Sequence, residues 1–155
     1  MNLVSLFSSK KYNQRTDEYG GNNENRARFI LEIYTKIRQA IGDEMIISAK
    51  IDCDNEEHGY TESGFITIAK ALEKAGLDIM EVSGPNPHRS GNDPYFYEDT
   101  KKIADILKIP IICIGGIKIF EQVNFILKNS NIQYIAMSRE LLKQPDLVTQ
   151  WKSNK

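Results

Sequence analysis

The 155-residue chain predicts an α/β fold built on parallel strands, and two patterns in it carry that prediction. Four apolar, β-branched runs (45–51, 77–82, 109–114 and 132–137) alternate with segments of helical periodicity. The runs are nearly continuous in hydrophobicity, which suits strands buried on both faces beneath covering helices. They begin about 23 to 32 residues apart, close to the size of a strand–helix–strand unit.

The helices have readable ends. Ahead of the first run, residues 24–41 place Ile30, Ile33, Ile37 and Ile41 on one face; Asn22 or Asn23 can cap the start, Glu24 suits its positive end, and Gly42 can close it. After the first run, Thr61 can cap a helix with a stripe of Phe65, Ile68, Ala69 and Leu72 that stops at Gly76. A third helix is predicted over 99–107 with Ile103, Ile106 and Leu107 inward, and Pro110 favours extended backbone before it. The fourth, over 120–127, buries Phe120, Val123 and Leu127; a last segment, 141–151, bends at Pro145. The order is a leading helix and then four βα units. With no Gly/Ser or Pro-rich linker, residues 1–155 read as a single domain. A small open α/β sheet and half of an eight-strand barrel both fit this order.

Twenty basic residues against 21 acidic ones give a formal charge of −1, which offers no support for a nucleic-acid or polybasic membrane partner. No apolar run approaches the roughly 20 residues that span a bilayer. Residues 1–7 lack the basic front of a secretory signal, and Cys53 and Cys113 form neither a CxxC nor a disulfide framework, so a cytoplasmic location is expected.

In a βα barrel, ligands meet the loops at the carboxyl ends of the strands, and phosphate commonly sits after the last two. The third run leads into Gly115-Gly116, where the missing Cβ atoms let backbone N–H groups approach an anion; a plain strand-to-helix turn explains the same pair. The fourth run ends in Ser138-Arg139 and opens a helix at Glu140, which pairs a guanidinium with a helix amino end. Lys50 lies within the first run; it either snorkels and pairs with Asp52 or Asp54, or carries a functional charge. His88, in Pro85-Asn86-Pro87-His88-Arg89, lies in the loop after the second run, either solvated or acting as an acid–base group. Tyr95, Phe96 and Tyr97 either pack their own turn or cover a ligand, and the two cysteines read as small buried hydrophobes.

The stretch Asn13-Gln14-Arg15-Thr16-Asp17-Glu18-Tyr19-Gly20-Gly21, followed by Glu24-Asn25-Arg26-Ala27-Arg28-Phe29, resembles the loop-and-helix signature midway along the (β/α)8 barrel of the old yellow enzyme family, FMN-dependent NAD(P)H oxidoreductases. Ile114-Gly115-Gly116-Ile117-Lys118 resembles that family's penultimate-strand phosphate motif. Ala136-Met137-Ser138-Arg139, with Leu141-Leu142 and Pro145-Asp146-Leu147, resembles its final-strand motif, although members often carry Gly where Ser138 stands. The resemblance implies the carboxyl-terminal half of a TIM barrel, with FMN phosphate held by Gly115, Gly116, Ser138 and Arg139 and with Lys50 near the flavin N1–C2 edge, where negative charge develops. The implied reaction is hydride transfer from NADH or NADPH through the flavin to an activated alkene or quinone-like acceptor. The signature loop itself is implied to be architectural, with Asp17, Glu18, Arg26 and Arg28 as a buried ion network.

The resemblance runs from Leu3 to Trp151 but covers only the family's second half, and Leu3-Val4-Ser5-Leu6-Phe7-Ser8 reads as the tail of its fourth strand. The family's substrate-binding His/Asn or His/His pair and its proton-donor tyrosine have no counterpart, so no catalytic residue is assigned. The alternative function is a non-catalytic, self-associating remnant that keeps at most a phosphate site. A third reading, another phosphate-binding barrel acting on sugar or nucleotide phosphates, leaves the signature loop unexplained. Half a barrel has two unpaired edges and an open concave face, so a homo-oligomer, or a partner carrying the missing half, is expected.

Overall fold

The computed structural model describes residues 3–53, 56–84 and 94–153. In chain order these form α1 (Leu3–Ser8), α2 (Asn23–Ile41), β1 (Ser48–Asp52), a 3₁₀ turn (Glu56–His58), α3 (Glu62–Ala75), β2 (Ile79–Ser83), α4 (Tyr97–Ile106), β3 (Ile111–Ile114), α5 (Phe120–Asn129), β4 (Tyr134–Ala136), α6 (Arg139–Lys143) and α7 (Leu147–Ser153). The four strands pair in parallel in the order β1-β2-β3-β4. This is half of a (β/α)8 barrel, as the resemblance implied.

Register sorts the side chains into two layers. Ala49, Met80 and Ile111 align across the sheet, as do Ile51, Val82, Cys113 and Ile135. That layer belongs to one core cluster with Phe65, Ile68 and Leu72 of α3, Ile103 of α4 and Ile126 of α5. Burying each large apolar chain there stabilises the fold by roughly 1.5–3 kcal/mol. On the opposite face Lys50, Glu81, Ile112 and Tyr134 align, and Tyr134 remains 54% exposed. The expectation of strands buried on both faces therefore holds for one face only, because no helix of the described residues lies on the other.

Most helix ends follow the local chemistry. Asn22 caps α2, accepting from Asn25 N at 2.7 Å, and Thr61 caps α3, accepting from Gly64 N at 3.2 Å. Such caps are worth about 1 kcal/mol each. Gly76 closes α3 at φ 98°, a left-handed conformation that favours glycine. The final segment breaks between α6 and α7 around Pro145, as its ring requires.

Four expectations need correction. Leu3–Ser8 is a helix rather than a strand tail; it stacks Phe7 on Phe29 of α2, with ring centroids 4.2 Å apart. On α2, Ile37 and Ile41 are exposed, and Arg26, Ala27 and Tyr34 are the buried residues; the helix packs on α1 and α3, and that contact selects the face. Ile106 of α4 is exposed, while Tyr97, Thr100, Ile103 and Ala104 turn inward from a helix that begins two residues earlier than predicted. On α5, Ile126 is buried in place of Leu127, while Phe120 meets Trp151 of α7 at 6.0 Å.

The signature loop is architectural, but main-chain carbonyls bind its polar residues where an ion network was expected. Asn13, buried, donates from Nδ2 to Phe7 O at 2.7 Å and Tyr19 O at 2.6 Å. Asn25 Nδ2 donates to Gly20 O at 2.8 Å, Arg26 to Gly21 O at 3.1 Å, and Arg28 to Glu18 O at 2.8 Å. A tight loop leaves carbonyls without ladder partners, and these donors supply them. The Asp17 carboxylate pairs with Arg15. At Gly20 an added Cβ would lie 2.1 Å from Arg15 O, so the loop closes only around glycine.

A clamp not foreseen from sequence joins α2 to the sheet. Arg38 binds the Asp78 carboxylate and donates to Gly42 O at 2.9 Å and Met45 O at 2.8 Å, while Ile47 N donates to Asp78 Oδ2 at 2.7 Å. The Ile47 amide first, and the Arg38 guanidinium second, hold the Asp78 carboxyl below its usual range. A carboxyl depressed in the folded state contributes stability above its unfolded pKa of about 3.9 and loses it as pH falls through the folded value. Asp78→Asn is therefore expected to destabilise the chain by about 1 kcal/mol at pH 7 in urea titrations, given partial solvent exposure. The difference from wild type should shrink as pH falls below the unfolded value of about 3.9 and through the lower folded one.

Candidate functional site

Because the strands are parallel, their carboxyl ends meet at one rim. A cleft of about 340 Å³ opens there, and Lys50, Gly115, Gly116, Ser138 and Arg139 all line it. All five residues singled out from sequence thus share one site, although Lys50 lies about 65 residues before the first glycine.

Gly115 and Gly116 turn the chain out of β3 at φ 93° and 72°, both in the left-handed region. Gly115 is also tied beneath the rim. Its carbonyl accepts from Tyr95 N at 3.0 Å, and a Cβ on it would meet the Phe96 ring at 2.8 Å. Phe96 is buried and equally close to Gly84, where a Cβ would lie 2.6 Å from the ring. Phe96 and Tyr97 are therefore core residues, and of the two readings left open for the 95–97 aromatics, turn packing prevails. After the glycines, Gln122 Oε1 accepts from Lys118 N at 2.7 Å and Ile119 N at 3.3 Å, which pins the start of α5. Ser138 precedes α6, and it and Arg139 are both exposed at the cleft.

Lys50 does not pair with Asp52. Its Nζ lies 2.7 Å from Glu81 Oε1, while Asp52 accepts from Ser5 Oγ at 2.9 Å. Residues i and i+2 on a strand stand about 7 Å apart, whereas the in-register neighbour on the next strand is about 4.8 Å away, so Glu81 is the nearer partner. Asp54 and the segment containing His88 lie outside the described residues. Glu81 is the site residue that sequence reading missed. Its signal was present: it is an acid inside an apolar run, as Lys50 is a base inside another.

Lys118 and Glu140 also line the cleft. Both carboxylates there meet a cation, Glu81 that of Lys50 and Glu140 that of Lys143 at 2.9 Å, and among the described lining residues Lys50, Lys118 and Arg139 outnumber Glu81 and Glu140. Two left-handed glycines, a guanidinium and a positive balance are the donor set of an anion site. Among the described residues no three His, Cys, Asp or Glu side chains are placed to hold a metal, and no helix is long and apolar enough to cross a membrane. Cys53 and Cys113 are buried thiols, and burial pushes that of Cys113 up to about 11.

These features define a βα half-barrel with a cleft at its carboxyl rim that is lined by two left-handed glycines and an exposed arginine. Residues 2–155 match the model of the NADH:flavin oxidoreductase / NADH oxidase family, and the chain belongs to that family. It is 33% identical to an NADH oxidase of Thermoanaerobacter brockii over 93% of this chain and 24% of that protein. To an NADPH dehydrogenase of Bacillus cytotoxicus it is 30% identical, over 92% of this chain and 42% of the relative. An old yellow enzyme homologue from Zymomonas mobilis superposes with a TM-score of 0.77 at 23% identity, over 98% of this chain and 43% of that one. The chain thus spans from about a quarter to two fifths of the length of these relatives.

Gly115→Ala combines an unfavourable φ with displacement of the Phe96 ring and is expected to cost about 2–4 kcal/mol in urea unfolding. Gly84→Ala, which meets the same ring, should destabilise by a similar mechanism.

Proposed function

We propose that the rim cleft binds the phosphate of FMN and that the chain serves an FMN-dependent NAD(P)H oxidoreductase, corresponding to the carboxyl-terminal half of such an enzyme. One observation carries the reading: Gly115, Gly116, Ser138 and Arg139 converge with Lys50 on a single cleft at the carboxyl ends of the strands. The family and the relatives named NADH oxidase and NADPH dehydrogenase support it.

The residues present fit a phosphate. Both glycines line the cleft without a Cβ to keep an oxyanion from the main chain, and Arg139 offers a planar fork of donors. When bound, FMN supplies hydride transfer between a reduced nicotinamide and an electron-poor acceptor such as an activated alkene or a quinone. The chain's own part is positioning and charge. The β3 and β4 ends anchor the anion, and Lys50, held by Glu81 on the open face, keeps a positive group inside the mouth of the half-barrel.

A second reading has its own support. Glu81 offsets the charge of Lys50, which fits a half-barrel that retains an anion site without redox work. Titration with FMN separates the two. Binding should develop protein-bound yellow absorbance near ~450 nm that NADH or NADPH bleaches without oxygen. Arg139→Ala should weaken binding by about 10- to 100-fold, the loss of a charge-assisted hydrogen bond to phosphate. Colourless protein that ignores FMN would defeat the first reading and support the second, whether or not inorganic phosphate binds.

A further inference from the structure

We infer that Glu81 is the charge-setting residue of the rim cleft: by holding the Lys50 ammonium it keeps that cation from a bound anion, so that phosphate is gripped from the β3 and β4 ends alone. The inference rests on the reading of the cleft as a phosphate site, and it is indifferent to whether that phosphate belongs to FMN.

Strand order puts the acid between the lysine and the rest of the site. Lys50 enters the cleft from β1, whereas Gly115 and Gly116 follow β3, and Ser138 and Arg139 follow β4. Glu81 stands on β2, between the two groups, in register with Lys50. Neighbouring strands lie about 4.8 Å apart, so the carboxylate is one strand from the lysine and one strand from the glycine turn. Nζ and Oε1 close to 2.7 Å, the length of a charge-assisted hydrogen bond. An ammonium on a flexible four-carbon stem turns toward whichever anion is nearest, and here that anion is built into the neighbouring strand.

The pair also sets the charge that an occupant meets. Lys50, Lys118 and Arg139 against Glu81 and Glu140 leave the described lining with one positive charge in excess. A neutral side chain at position 81 would raise the excess to two. A cleft of about 340 Å³ is about 7 Å on an edge, less than the Debye length of roughly 10 Å in 0.1 M salt, so the lining charges act on an occupant with little screening. Over such distances one unit of charge changes the binding of a phosphate dianion by about three- to tenfold.

Calorimetric titration of the 155-residue chain with inorganic phosphate, at about 50 mM ionic strength, tests this through a charge cycle. Glu81→Gln should tighten phosphate binding by about three- to tenfold. Lys50→Met, which leaves the carboxylate alone in the cleft, should weaken it by about the same factor. The double variant removes both charges and should fall within about twofold of wild type. Glu81→Asp keeps the charge and should also stay close to wild type, which separates charge from packing. Glu44→Gln makes the same change of net charge before the amino end of β1, away from the rim, and should leave the affinity where it was. In about 0.5 M salt the spread among the variants should narrow.

Equal or weaker binding by Glu81→Gln would overturn the inference, as would phosphate binding by none of these proteins. A double variant as weak as Lys50→Met would overturn it too, because the lysine would then be a direct phosphate ligand. The flavin reading fails by a different result. A phosphate cycle of the expected form in a protein that never takes up FMN colour keeps Glu81 in this role and removes the flavin. FMN colour with phosphate affinities equal across the cycle keeps the flavin and removes the role.

Discussion

Parallel pairing in chain order is the constraint on which the rest of this molecule rests. When each strand runs the same way as its neighbour, every crossover must return over one face, and every carboxyl end must finish at one rim. That geometry gathers Lys50, Gly115 and Arg139 from three different strands into one cleft. It also leaves the other face of the sheet without a helix among the described residues. The site and the exposed surface are therefore two results of the same topology.

Beneath the rim, one aromatic ring holds the geometry. Phe96 fits between Gly84, after β2, and Gly115, after β3, where neither position has room for a Cβ. The backbone turn that shapes the cleft is thus packed from below, and the glycines serve the core as well as the site. A glycine pair at a strand end is often read as either structural or functional. Here Gly115 is structurally required on two counts, because positive φ and close approach to the Phe96 ring coincide at one residue.

Charge in the cleft is settled by register. Glu81 stands in register with Lys50 and takes its ammonium, and Asp52, nearer in sequence, turns to Ser5. The pairing moderates the field at the mouth and leaves Arg139 as the exposed cation at the end of β4. The signature loop follows a related rule. Its asparagines and arginines serve orphaned carbonyls, since a loop that folds on itself has more acceptors than ladder partners.

The order of elements, the Asn22 and Thr61 caps, the left-handed end at Gly76, the break at Pro145 and the grouping of the glycines with Arg139 were all legible in the sequence. The caps and breaks depend on neighbours within a few residues, and the grouping of the glycines with Arg139 on the rule that ligands of a βα barrel meet the carboxyl ends of its strands. What only the tertiary structure decided was which stripe of α2 and α5 turns inward, that residues 3–8 coil into a helix, and that Lys50 meets Glu81. Burial and ion pairing across elements depend on where separate segments come to lie, and a helix with apolar residues on several sides does not say which side its neighbours will cover.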